Sequence, residues 1–269
     1  MAKRRKTPAR YYPIIGLLVL GIVLSNPAII VLVGFIAAVV FLVRFLLDCL
    51  GLVGEEQAIH RGSSVGTFSG SNGLTLYEVC DINTKIKAAL RQRFIAFDFE
   101  TTGLDRENDR IIEIGAVLFE DCEPTLVFTT LVKQTVQSSA DALKTHHITE
   151  DMLAGAPSEK ASIDGFLDFL GDAIDGKTYL VAHNAGFDAE FLINALCRYG
   201  YTSEFRCIDT LSEARQRVNG VPNYKQETLA EHFGIKSNNA HRAPDDAMVC
   251  GKILIRLLSI RRRPRRRSS

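Results

Sequence analysis

The stretch FIAFDFETTGL, residues 94–104, decides how the chain is read. Phe94, Ile95, Ala96, Phe97 and Phe99 are apolar, and their aromatic and β-branched content favours a strand. In a strand, residues i and i+2 share a face. Asp98 and Glu100 therefore project together, with Phe97 and Phe99 on the other side, and Thr101, Thr102 and Gly103 end the run. Two readings fit this stretch alone. Either the acids are solvated at a strand end, or they are buried side by side. Buried neighbouring carboxylates repel each other unless a cation lies between them. Oxygen donors suit Mg²⁺ or Mn²⁺.

Working outward, the pattern is that of a mixed α/β domain. It predicts strands at residues 94–100, 110–119, 125–133, 178–183 and 205–209. Helices are predicted at 160–172, 185–199, 225–233 and 244–260, and a short one within 77–93. Three strands precede the alternation of strands and helices, so the first strands should be antiparallel in a mixed sheet. Residues 54–73, rich in Gly and Ser, read as a linker.

Two further segments place acids toward the core. In LVAHNAGFDAEFL, residues 180–192, a strand runs into a helix. Asp188 shares a helical face there with Phe191, Leu192 and Ala195, at the strand-to-helix corner where α/β sites collect. The plainer alternative is an acid answering the helix dipole. In HRAPDDAMVC, residues 241–250, Pro244 suits the first helical position, which leaves His241 in the preceding loop. Asp246 shares its face with Val249, Cys250, Ile253 and Leu254, whereas Asp245 shares its own with Lys252 and Arg256. Asp246 is the acid expected to face inward. Asp98, Glu100, Asp188 and Asp246 should then converge as a carboxylate cage with His241 at its mouth. Two cations in such a cage stabilise charge on the entering and leaving oxygens of a phosphoryl displacement.

The 269 residues carry a formal charge of +1, which hides an asymmetry. The first ten residues hold five positive charges and the last nine hold six, so the body between carries −10. Such basic ends are expected to contact anionic lipid or nucleic acid. Six cysteines are scattered without a CxxC pair or zinc spacing, which fits thiols in a reducing compartment. No charge occurs at residues 11–43, and as one helix these 33 residues would be about 50 Å long against a hydrocarbon core of about 30 Å. Ser25-Asn26-Pro27 breaks the run, so a membrane hairpin is expected. A cleaved signal peptide and a buried soluble helix pair are the alternatives. The expected organisation is a basic N-terminus plus membrane hairpin (1–53), a linker with a short helix (54–90), a catalytic domain (91–260) and an arginine-rich tail (261–269).

FDFETTGL, HNAGFD and HRAPDDA, in this order, resemble the three exonuclease motifs of the DEDD superfamily, His-containing (DnaQ-like) subclass. HHITEDMLAGAP, IDTLSEARQ and NYKQETLAEHFGI resemble its connecting segments, and the likeness spans residues 93–258. The resemblance implies an RNase H-like fold and 3′→5′ release of nucleoside monophosphates from nucleic acid 3′ ends, single-stranded DNA or RNA. It implies that Asp98, Glu100 and Asp246 bind one Mg²⁺ or Mn²⁺, that Asp98 also reaches a second, and that Asp188 holds the second ion's surroundings. His241 matches the general base, a role imidazole suits near neutrality. Thr101, Thr102 and Leu104 match positions that contact the terminal nucleotide, and His146 is placed with them as substrate-binding. Where relatives read His-Gly-Ile, this chain reads His146-His147-Ile148, and the missing glycine is one that would serve a turn. The expectation is a membrane-anchored exonuclease with its catalytic domain facing the cytoplasm. A polymerase-associated proofreading subunit and an inactive nucleic-acid-binding scaffold are the alternatives.

Overall fold

The chain divides into two units, Met1–His60 and Arg61–Ser269. The computed structural model describes residues 64–70, 73–237 and 240–262, all in the second unit. The expected membrane hairpin and the tail beyond Arg262 lie outside the described residues. Among the described residues, no helix is long and apolar enough to cross a membrane.

A seven-stranded mixed sheet organises the unit, in the order β1-β2-β7-β6-β3-β4-β5. The strands are β1 (Ser64–Gly70), β2 (Gly73–Val79), β3 (Arg93–Thr101), β4 (Ile111–Glu120), β5 (Glu123–Leu131), β6 (Tyr179–Ala182) and β7 (Ser203–Asp209). As expected, β3, β4 and β5 form an antiparallel meander, while β6 and β7 run parallel to β3. The helices are α1 (Thr84–Gln92), α2 (Ala140–His146), α3 (Glu150–Ala154), α4 (Glu159–Leu170), α5 (Ala185–Arg198), α6 (Thr210–Arg217), α7 (Gln226–Phe233) and α8 (Ala243–Ser259).

The alternation of β3 separates two cores. Ile95, Phe97 and Phe99 pack with Phe166 of α4 and with Phe191 and Leu192 of α5. Phe94 and Ala96 face the other way, onto Leu90 of α1 and Cys250, Leu254 and Leu258 of α8. Phe94, Phe97, Phe119 and Phe166 are fully buried, each contributing roughly 2–3 kcal/mol by transfer from water. By the same two-residue period, Asp98 and Glu100 continue the Phe94 face toward α8.

One glycine brings α8 to that face. Gly115 on β4 pairs with Asp98 on β3. A Cβ at Gly115 would lie 2.1 Å from Ala243 C and Pro244 N, the backbone that opens α8. The absence of a side chain there lets the first turn of α8 settle against the end of β3.

Within the stretch expected to be a linker, the reading needs correction at the described residues 64–70 and 73. Ser64–Gly70 and Gly73–Val79 form a hairpin, and Thr75–Val79 joins the sheet parallel to Ser203–Cys207. Tyr77 is buried and stacks on Phe205 at 5.9 Å between ring centroids. The helix expected within 77–93 is confined to α1, where Asn83 caps the first turn by accepting from Ile86 N at 2.9 Å.

Candidate active site

The open end of β3 creates the site. β6 pairs with β3 only over Phe94–Ala96, so the backbone beyond Ala96 lacks a strand partner on that side. The first turn of α5 fills the gap, and Asp188 Oδ1 accepts from Phe99 N at 3.2 Å. Helix α5 is itself aimed by Asp209, whose Oδ1 accepts from Asn184 N at 2.9 Å while capping α6 through Leu211 N at 3.0 Å. Asn184 takes the left-handed conformation needed at this corner, with φ 69°.

A pocket of ≈ 400 Å³ lies between the ends of β3, α5, α7 and α8. Its walls include Asp98, Glu100, Asp188, His241 and Asp246, so the structure brings together all five expected catalytic positions. Asp98, Glu100 and Asp246 each offer a carboxylate oxygen, all within 4.8 Å of one another. Asp188 lines the same pocket, buried, with its Oδ1 bonded to the backbone of β3. Asp245 is absent from the pocket walls.

The acids are held against their preference for charge. Burial, then the neighbouring Asp188, Asp246, Glu100 and Glu113, push the Asp98 carboxyl well above the usual range. Burial, followed by Asp246 and Glu113, raises Glu100 to about 8, with Arg242 opposing. Burial lifts Asp188 to about 7 against the pull of its Phe99 hydrogen bond. Asp246 is raised by burial too, opposed first by the bond from His241 N. A divalent cation bound by three hard oxygen donors would relieve this stored repulsion, so the donor set fits Mg²⁺ or Mn²⁺.

His241 sits at the mouth, its side chain 46% exposed and its Nε2 3.2 Å from Glu227 Oε1. Its backbone is left-handed, φ 64°, and its N–H donates to Asp246 Oδ2 at 2.9 Å.

The four residues assigned to substrate contact do not line this pocket. Thr102 is fully buried, donating to Asp109 Oδ1 at 2.7 Å and accepting from Arg110 N at 3.0 Å, so its hydroxyl builds the loop. Thr101 is buried and donates to Gly103 O at 2.6 Å. Leu104 is 79% exposed on that same loop. His146 is buried, and its Nδ1 accepts from Ile148 N at 2.9 Å. The proton of the neutral ring therefore sits on Nε2, which has no hydrogen-bond partner. His147 ends α2 with φ 57°, the left-handed conformation expected of the replaced glycine.

Several site residues were missed in the sequence. Glu113, opposite Glu100 in the β3–β4 register, is buried and accepts from Arg242 Nε at 3.1 Å and from Ala243 N at 3.0 Å. It pins the start of α8. An acid within the apolar run IIEIGAVLF was the available signal, the same one that marks Asp98. His183 lines the pocket, with Nε2 3.0 Å from Tyr224 O and Nδ1 2.9 Å from Thr210 Oγ1. A carbonyl only accepts, so His183 carries its proton on Nε2; burial lowers its pKa. Phe99, Phe187, Lys225, Gln226 and Glu227 complete the walls.

Residues 95–254 match the family model RNase_T: Exonuclease. The chain belongs to this exonuclease family. It is a 3′→5′ exonuclease, a hydrolase of phosphodiester bonds. DNA polymerase III subunit epsilon of Treponema pallidum is 40% identical over 171 residues, 62% of this chain and 76% of that protein. A DNA polymerase III PolC-type protein of Caldanaerobacter subterraneus subsp. tengcongensis is 38% identical over 205 residues, 76% of this chain. The exonuclease chain spans only 14% of that polymerase's length. In fold it resembles E. coli exonuclease I in complex with a dT13 oligonucleotide, with a TM-score of 0.54 and 21% identity, covering 62% of this chain and 40% of that one.

Proposed function

We propose that this exonuclease removes nucleotides from DNA 3′ ends, using two divalent cations held by Asp98, Glu100, Asp246 and Asp188. The observation that carries the reading is the convergence of three carboxylate oxygens within 4.8 Å beside Asp188 and His241. Cations held by these residues would polarise the scissile phosphate and favour a water as nucleophile. His241 takes the proton of that water; its exposed ring at the mouth supports this role. Buried Asp188 ties α5 to β3, and the Glu113–Arg242 pair ties the start of α8 to β4. Exposed Leu104 supports contact with the terminal nucleotide. The choice of DNA draws on the polymerase relatives. Digestion of single-stranded DNA, single-stranded RNA and a mismatched primer–template, side by side, tests it. Faster release from both DNA substrates is expected, and preference for RNA would overturn the choice.

The uncharged run at residues 11–43 supports membrane tethering with a cytoplasmic domain. Labelling a cysteine engineered at Ser71 tests the topology. Protection in intact cells until lysis is expected, and labelling before lysis would place the domain outside. A second reading, proofreading for a DNA polymerase, rests on the names of the same relatives. Co-purification with a polymerase would favour it.

A further inference from the structure

Gln226 opens α7 on the pocket wall that faces Asp246. Its Nε2 donates to Asp246 Oδ1 at 3.2 Å and to the Asp246 carbonyl oxygen at 3.2 Å. One amide nitrogen thus ties the side chain of this acid to its own backbone. The second oxygen, Oδ2, accepts from His241 N at 2.9 Å. Asp246 is therefore held from both sides, by α7 and by the loop before α8. Neither contact comes from a charged group.

The other end of the amide is equally informative. Gln226 Oε1 is buried and has no hydrogen-bond partner. Buried polar atoms are nearly always satisfied, and an exception in a pocket wall calls for a ligand or water. Mg²⁺ keeps several of its waters when it binds protein, and each is a donor that needs an acceptor. Outer partners of this kind orient metal ligands and set affinity.

We propose that Gln226 is a positioning residue of the cation site. Its amide nitrogen holds Asp246 in the ligating orientation, and its Oε1 accepts from a water in the cation's hydration shell. The inference rests on Asp98, Glu100 and Asp246 being that site. Leucine at position 226 would fill similar space with neither function. Asparagine is one carbon too short to reach the same partners.

The test is Mn²⁺ titration of the full chain in detergent by calorimetry, after removal of metal. Gln226→Leu should weaken Mn²⁺ binding by about 10–100-fold. Its melting temperature without cation should be unchanged or higher, since leucine leaves no buried orphan. Raising Mn²⁺ to saturation should restore turnover, because the reacting groups are intact. If Gln226→Leu does not fold, Gln226→Asn carries the test with the same expected weakening. Asp98→Ala separates the two levels of the argument. Mn²⁺ binding retained in Asp98→Ala would overturn the site itself. Binding lost in Asp98→Ala but of wild-type strength in the Gln226 variant would overturn only the role of Gln226.

Discussion

Replacing Glu100 with glutamine should stabilise the metal-free protein while abolishing its activity. Glu100 lies among Asp98, Asp246 and Glu113, and its pKa rises from 4.5 to about 8, first through burial and then through those neighbours. Between these two values the folded state holds a proton that the unfolded state has released. The free energy of unfolding therefore falls as pH rises from about 4.5 to about 8. At pH 7 the loss amounts to roughly 3 kcal/mol, at about 1.4 kcal/mol per pH unit. Glu100→Gln removes the titrating group at nearly constant shape. For a unit of this size the gain corresponds to about 6–12 °C in melting temperature. Thermal unfolding of the 61–269 unit in EDTA, across this pH range, reads the difference directly. The variant should exceed wild type at pH 7, and the gap should close near pH 4. Adding Mg²⁺ should stabilise wild type more than the variant. Equal melting temperatures in EDTA at pH 7 would mean that the acids are solvated, refuting the claim that the fold stores their repulsion.

Gly115→Ala should separate α8 from β3, since its new Cβ meets backbone at 2.1 Å; a loss of about 1–3 kcal/mol together with lost cation binding is expected, and wild-type values in calorimetry would contradict the packing argument. His147→Gly should raise stability by up to about 1 kcal/mol, because His147 holds φ 57°; urea unfolding checks it, and a destabilised variant would show that the imidazole makes a compensating contact. His241→Ala should lower turnover by about 10²–10⁴-fold with Mn²⁺ affinity largely kept, and unchanged turnover would remove His241 from proton transfer.

The central site was legible because each of its acids shares a face with apolar residues. Asp98 and Glu100 follow the two-residue period of β3, and Asp246 was distinguished from Asp245 by the helical period of α8. All five strands and four helices expected over residues 94–260 are present, with ends within two residues. What escaped depends on partners distant in sequence. The β1–β2 hairpin is rich in glycine and serine, and its strand state comes from pairing with β7. The short helices α2 and α3 are the local exception, resting on single caps from the adjacent Ser139 and Thr149. Glu113 meets its Arg242 partner 129 residues away. Asp188 lines the same pocket as the other acids, and the contact that fixes it there, with the N–H of Phe99, is visible only once β6 is seen to stop at Ala96. Thr102 matched a substrate position, yet the loop that returns through Asp109 buries it.

The most direct test follows single-stranded DNA labelled at its 5′ end, incubated with the 61–269 unit, with Mg²⁺ or with EDTA. The account predicts a ladder shortening from the 3′ end, release of nucleoside monophosphates, no reaction in EDTA and none with Asp98→Ala. Shortening that survives EDTA or the Asp98 substitution would contradict catalysis at the carboxylate cluster.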